Sequence, residues 1–160
     1  MGLAQAAPLD RDSAGLTARP PAGVIPIMTP EGLIVLQSRY GPADTAERLA
    51  AAVTARGMTV MARIDHAAGA AKAGLELRPT EVILFGNPVG GTPLMQAAQT
   101  AGIDLPLKAL VWQDANGRTW LGYNDPKWVA QRHGASGVEP TVEAMTKALA
   151  AIAREATGGP

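Results

Sequence analysis

Residues 107–124, LKALVWQDANGRTWLGYN, predict a β-hairpin. Two apolar, aromatic-rich runs, Leu107–Gln113 and Arg118–Asn124, flank the segment Asp114-Ala115-Asn116-Gly117. Asn-Gly is the strongest short hairpin signal, because both residues tolerate the positive φ angles of a tight turn. A hairpin pairs its strands antiparallel, so the sheet that contains it cannot be wholly parallel.

Upstream of the hairpin, short apolar runs alternate with helical patterns. The runs at Gly32–Ser38, Met58–Ile64 and Thr80–Phe85 predict three strands, and the third is apolar on both faces, as in a central strand. In the second run, Met58, Val60, Ala62 and Ile64 are expected on one face. Helix start and stop signals lie between these runs. They delimit helices over Gly41–Gly57, from the cap Asp65 to Gly74, and from the cap Thr92-Pro93 to Gly102.

Downstream of the hairpin, a short helix starts at Asp125-Pro126 and ends at Gly134, near a histidine, His133, that reads as a C-terminal cap. A longer helix follows over Pro140–Ala156. The order β-α-β-α-β-α-β-β-α-α predicts an α+β fold, with a single mixed or antiparallel sheet of about five strands and helices mainly on one face. The last helix carries a stripe that can pack on the domain or on a partner: Val142, Met145, Leu149 and Ile152.

Composition excludes several functional classes. The 160 residues are 47% hydrophobic and 18% charged, as in a globular chain with a real core. Formal net charge is zero, which disfavours a general electrostatic hold on nucleic acid or anionic membrane. The absence of cysteine rules out thiolate catalysis and cysteine-ligated metal, and two histidines cannot form a three-histidine site in one chain. No apolar run is long enough for a transmembrane segment.

The N-terminal residues 1–30 hold five of the thirteen prolines and predict an extended arm. Ala4-Gln5-Ala6 resembles the end of a bacterial signal peptide, so we expect a periplasmic protein, with an Ala-rich native terminus and a cytoplasmic location as the alternative. The expected organisation is this arm, an α+β domain over 31–135 and a C-terminal helix within 136–160.

A series of short motifs follows in order from residue 64 to residue 134. They are Ile64-Asp65-His66-Ala67-Ala68, Gly74-Leu75-Glu76-Leu77-Arg78-Pro79-Thr80-Glu81, Phe85-Gly86-Asn87-Pro88, Gly91-Thr92-Pro93-Leu94-Met95-Gln96, Asp104-Leu105-Pro106-Leu107-Lys108, Tyr123-Asn124-Asp125-Pro126 and Arg132-His133-Gly134.

With these motifs, residues 32–135 resemble the domain of unknown function 302 family of bacteria and archaea. The resemblance implies a small α+β domain that occurs alone or beside other domains, forms homodimers in known members and is exported in many. It implies no agreed activity. The arm and the tail after residue 136 lie outside the quoted motifs. The apolar stripe of the last helix and the resemblance together lead us to expect a homodimer.

His66 is the first candidate functional residue. It lies in the first turn of a short helix, where the helix dipole disfavours a further positive charge on the ring. A neutral imidazole can act as a general base, a hydrogen-bond donor or a ligand of metal or haem. The alternative is a structural ring bonded to nearby backbone.

The other candidates lie further along the chain. Arg78 could present its guanidinium to a carboxylate or phosphate, or form a structural ion pair. The loop from Asn87 through Gly91 to Thr92 joins a strand to a helix, where backbone amides favour an anion; the alternative is a tight turn. It lacks the Lys-Ser/Thr of a phosphate-binding loop, so nucleotide hydrolysis is disfavoured. Met95 is either a soft ligand opposite His66 or a core residue.

These residues leave several functions open. The first is a homodimeric binding module with a pocket near His66 and the 86–93 loop for a small anionic or amphipathic ligand. The second is an enzyme with His66 as acid or base and Arg78 as anchor, and the third a haem- or metal-binding protein using His66. The last is a structural accessory domain. The first reading requires His66, Arg78 and the loop amides to face one cavity, and the ligand, any cofactor and any reaction stay unknown.

Overall fold

The computed structural model describes residues 29–160, so most of the predicted 1–30 arm lies outside the described residues. Five strands and five α-helices follow in the predicted order. The strands are β1 Leu33–Ser38, β2 Thr59–Asp65, β3 Thr80–Gly86, β4 Leu107–Gln113 and β5 Thr119–Asn124. The helices are α1 Pro42–Ala55, α2 His66–Lys72, α3 Pro88–Ala97, α4 Pro126–Arg132 and α5 Glu139–Thr157, with a 3₁₀ turn at Gln99–Ile103.

The strands form one sheet in the order β1-β5-β4-β3-β2, and every neighbouring pair is antiparallel. This confirms the α+β fold with a single sheet, in its fully antiparallel form. The first two strands of the chain lie at opposite edges of the sheet. Helix α1, which joins them, therefore crosses the sheet and contacts β2, β3, β4 and β5.

Helices α1 and α5 pack together on one face of the sheet. The sheet side chains beneath them, among them Ile83, Phe85 and Leu121, are fully buried. Complete burial of such a side chain stabilises the fold by about 1.5–3 kcal/mol. The apolar stripe of α5 is also buried within the chain. Most of the stripe faces α1 and the sheet, and its N-terminal end faces a smaller apolar cluster under α3 and α4. It does not form a free surface for a partner, and residues 136–160 share the core of 31–135.

The other face of the sheet carries a second set of apolar side chains. One row of paired residues crosses all five strands: Val35, Gly122, Leu110, Val82 and Ile64. This row, together with Leu84 and Trp112, is called the open face below. Its apolar side chains remain partly exposed, and none belongs to either buried cluster.

Strand β2 differs from the expected alternation. Its register shifts between Val60 and Ala62, so Val60 pairs with buried Phe85 while Ala62 pairs with Leu84 and Ile64 with Val82. One extra residue in a strand moves the following side chains to the opposite face. Val60 and Ile64 therefore face opposite sides of the sheet, contrary to the sequence expectation, and Ile64 contributes to the open face.

Asp114 stabilises the predicted hairpin turn. Its carboxylate accepts hydrogen bonds from the Trp120 indole Nε1 at 2.9 Å, from Arg118 and from the backbone amide of Asn116. The bond from Trp120 is the largest of the effects that hold the pKa of Asp114 down at about 2. Because an unfolded Asp titrates near 4, the ionised carboxylate favours the folded state above that pH.

We expect Asp114→Asn to lower the urea midpoint of unfolding at neutral pH. The stabilisation by the carboxylate is fully present above the unfolded pKa of about 4 and is lost as the pH falls towards the folded value. The midpoint difference between wild type and variant should therefore shrink below pH 4. Glu76→Gln, which removes an exposed carboxylate outside the hairpin, serves as the control. A difference that stays constant from neutral pH down to the folded pKa would contradict this role.

Candidate functional site

A cavity of about 760 Å³ lies between α3, α5 and the ends of β2, β3 and β4. Its wall is mostly apolar and contains four of the six methionines of the chain. We call it the methionine cavity. The apolar side chains on its wall include Met58, Met61, Met95, Met145, Leu105 and Leu107.

Small residues keep this cavity open. Gly90 and Gly91 present backbone on the α3 side, and Ala144 and Ala148 present methyl groups on the α5 side. A Cβ atom placed on Gly91 would lie 3.7 Å from Leu105 Cδ1, in ordinary contact. The two helices therefore face each other across a gap that larger residues at these positions would fill.

Helix α3 begins earlier than the sequence predicted. Asn87, rather than Thr92, is the N-cap, and its side-chain oxygen accepts a hydrogen bond from the Gly90 amide at 2.7 Å. Pro88 follows at the first helical position, where its missing N–H is not needed. Thr92 lies inside the helix, so the expectation that it caps the helix was wrong.

The early cap also changes the predicted anion site. The amides of Gly90 and Gly91 both donate to the backbone oxygen of Asn87, each at 3.2 Å. These donors are already paired within the helix, and Pro88 has none. The loop therefore offers few free amides to an anion, and its role here is to begin α3.

Four of the six candidate residues lie on the wall of the methionine cavity: Asn87, Gly91, Thr92 and Met95. His66 and Arg78 do not. Asp65 pairs with Glu81 at one end of the β2–β3 pair, and Thr59 pairs with Gly86 at the other. Six residues at 3.3 Å per residue separate these ends by about 20 Å. The expected convergence of His66, Arg78 and the 87–92 segment on one cavity was wrong.

The surroundings of His66 and Arg78 agree with this separation. His66 is exposed as the first residue of α2. Arg78 is also exposed, and its Nε donates to the backbone oxygen of Gln113 at 3.2 Å. Met95 cannot share a ligand with His66 of the same chain over such a distance. Among residues 29–160, no group of three or more acidic or histidine side chains is placed to hold a metal ion.

Arg56 is the one charged residue on the cavity wall among the described residues. Its guanidinium donates to both carboxylate oxygens of Glu155, at 2.8 and 2.9 Å, and to the backbone oxygen of Ala52. The bond with Glu155 is the main reason why the pKa of Arg56 is raised. Since this cation already has an anionic partner, residues 29–160 present no unpaired charge to a ligand in the cavity.

A polar cluster was missed as a candidate site. The ring of His133 lies between the Thr100 hydroxyl and the Asp104 carboxylate, and Arg132 also donates to Asp104. Lys108 donates to the backbone oxygen of Asp104, and burial lowers the pKa of Lys108. The quoted motifs contain Asp104, Lys108, Arg132 and His133, but their separation in sequence hides the contact. His133 does end α4, as a cap would, but its side chain points to Asp104.

We expect Asn87→Ala to destabilise the domain by about 1 kcal/mol, the usual cost of losing a side-chain N-cap. Asn87→Asp should retain most of the stability, because a carboxylate oxygen can accept the same bond from Gly90. Thermal unfolding of the three proteins measures both effects. Equal stability of wild type and Asn87→Ala would show that the cap does not hold α3 in place.

Comparison with known proteins supports the fold and places the chain in a family. The profile of the family described as "Domain of unknown function DUF302" matches residues 34–152. The match therefore includes most of α5, beyond the segment that the sequence motifs covered. A crystal structure described as an uncharacterized conserved protein DUF302 from Bacillus stearothermophilus superposes with a TM-score of 0.72. It is 21% identical and covers 79% of this chain and 99% of its own.

Curated relatives carry a different description. Proteins from Brucella suis biovar 1 (strain 1330) and Brucella melitensis biotype 1 are 47% identical over 128 residues, 79% of this chain. They are named fluoride-specific ion channels FluC 1 and FluC 2. The chain spans only about half of their length, 50% and 47%. Within residues 29–160, every helix is too short or too polar to cross a bilayer. The profile match over most of the chain shows that this protein belongs to the DUF302 family.

Proposed function

We propose that this domain binds a small apolar or amphipathic molecule in the methionine cavity. The observation that carries the proposal is a cavity of about 760 Å³ with a mostly apolar wall. Ligand pockets of proteins commonly have volumes of about 300–1,000 Å³ and apolar walls with a few polar groups. Here the polar groups include Thr92, Thr141 and Asn87.

The methionines favour a ligand of variable shape. Methionine is unbranched and polarizable, so it adapts to irregular apolar surfaces. Met61 is 51% exposed on β2, which leaves it free to move over an occupant. Of the two expected ligand classes, the amphipathic one fits this wall better than a purely anionic one, since Arg56 is already paired with Glu155.

Ala144→Phe tests the cavity, because the added ring would project from α5 into the space between α5 and α3. We expect it to weaken binding of the fluorescent amphipathic probe 1-anilinonaphthalene-8-sulfonate by at least about tenfold, about 1.4 kcal/mol. Titration of the folded protein with the probe measures this loss. Native mass spectrometry of the wild type tests for a retained ligand.

Two variants serve as controls for the cavity. Ala151→Phe adds the same ring to α5 at a residue that is not on the cavity wall, and His66→Ala removes the exposed imidazole at the far end of the sheet. Both should bind the probe as the wild type does. Unchanged binding by Ala144→Phe, or loss of binding in His66→Ala, would contradict the proposed location.

We also propose that the expected homodimer forms, but through a surface other than the apolar stripe of α5. The apolar stripe of α5 is buried within the chain, whereas the open face remains partly exposed. Five strands spaced about 4.8 Å apart and about 20 Å long give a face of roughly 400 Å² in plan. An apolar patch of a few hundred Å² on a protein surface is often functional, and two sheets can pack face to face about 10 Å apart. We propose that two copies meet through their open faces.

Leu84→Lys places a charge within the open face, and burying it in an interface would be costly. We expect sedimentation at micromolar concentration to show twice the chain mass for the wild type and one chain mass for Leu84→Lys. Ala51→Lys, on the exposed side of α1, should leave the dimer unchanged. A monomeric wild type would overturn the dimer.

The curated relatives favour a second candidate, an accessory domain of a membrane protein. Their name refers to a fluoride channel, but the matched part here has no helix in residues 29–160 that could span a bilayer. The channel activity of those relatives would then reside in the half that this chain does not match. A monomer in the sedimentation experiment would support this candidate, with the open face available to another part of such a protein. We also propose that the protein is exported to the periplasm, because Ala4-Gln5-Ala6 resembles the end of a bacterial signal peptide.

A further inference from the structure

A hydroxyl, an imidazole and a carboxylate form a connected series beside the 3₁₀ turn. Thr100 Oγ1 lies 2.9 Å from His133 Nδ1, and His133 Nε2 hydrogen-bonds the Asp104 carboxylate. The three residues come from the 3₁₀ turn, its C-terminal cap and the end of α4. None of them is on the wall of the methionine cavity.

Hydrogen-bonding rules assign the roles of the three groups. Arg132 Nη1 donates to both oxygens of Asp104, at 3.0 and 3.1 Å, so both oxygens act as acceptors. A carboxylate only accepts, so His133 Nε2 carries the hydrogen in this bond. In the neutral ring, Nδ1 then has a lone pair and accepts the hydrogen of the Thr100 hydroxyl.

The three side chains differ in their exposure to solvent. The side chains of Asp104 and His133 are only 12% and 8% exposed, whereas Thr100 is exposed. An exposed hydroxyl could bond to water at little cost, so holding the helix end does not require this contact. A base within hydrogen-bond distance of a reachable hydroxyl, itself oriented by a third group, is the arrangement that activates a nucleophile.

We propose that Thr100 is a nucleophile for acyl transfer, with His133 as its general base and Asp104 as the residue that positions His133. The substrate class is an activated ester. As Thr100 Oγ1 attacks the carbonyl carbon, its proton passes to His133 Nδ1. The bond between that carbon and the leaving oxygen then breaks, the leaving group takes the electron pair, and His133 returns the proton. The product is an ester of Thr100, which water can hydrolyse.

The test uses p-nitrophenyl acetate with the full chain. We expect release of p-nitrophenol and, by tandem mass spectrometry, an acetyl group on Thr100. Thr100→Val should abolish that adduct and lower the rate by at least about tenfold, and His133→Asn should lower it by about 10²-fold, as for loss of a general base. Thr100→Ser, which retains the hydroxyl, should retain the reaction.

Matched variants separate this chemistry from a structural role. Thr54→Val removes another exposed threonine hydroxyl, on α1, and His66→Ala removes the other imidazole of the chain; both should react as the wild type does. Thr100→Val should remain folded at the assay temperature, and Thr100→Ser, which retains the bond to His133, separates loss of the reaction from loss of that bond. Acetylation confined to lysines or the N-terminus, or an unchanged rate in Thr100→Val, would overturn the proposal.

Discussion

The antiparallel register between β2 and β3 determines which residues of this domain can meet. It places Gly86 and the start of α3 beside Thr59, and it places α2 beside Glu81 at the opposite end. A strand advances about 3.3 Å per residue, so residues on either side of a seven-residue strand are about 20 Å apart. The methionine cavity forms at one end of this pair, and His66 and Arg78 lie at the other.

The two faces of the same sheet have different roles. The face beneath α1 and α5 holds the larger buried cluster and carries most of the stabilisation from apolar burial. The open face carries apolar side chains outside that cluster, and the shift in β2 adds Ile64 to them. Gly122 allows Trp112 to lie close over β5, since a Cβ there would approach the Trp112 ring to 3.1 Å. The domain thus combines a cavity at one end of the sheet with a partly exposed apolar surface on the open face.

Local signals predicted the elements well because they act over a few residues. The Asn116-Gly117 turn, the Asp65 cap and the proline at the start of α4 each determine backbone geometry within one turn. The start of α3 was misplaced because Asn87-Pro88 and Thr92-Pro93 offer the same signal. The structure uses the first, where the Asn87 side chain reaches the Gly90 amide.

The amino-acid sequence by itself determined the element order, the α+β class, the antiparallel hairpin and four of the residues that line the cavity. Periodicity, turn chemistry and caps are local, so a single chain suffices to read them. Only the tertiary structure decided that His66 and Arg78 lie away from the cavity, that the α5 stripe is buried and that Thr100, Asp104 and His133 meet. Helix packing brings His133 next to Thr100, 33 positions earlier in the chain, and the register of β2 and β3 separates His66 from Asn87, about 20 positions later.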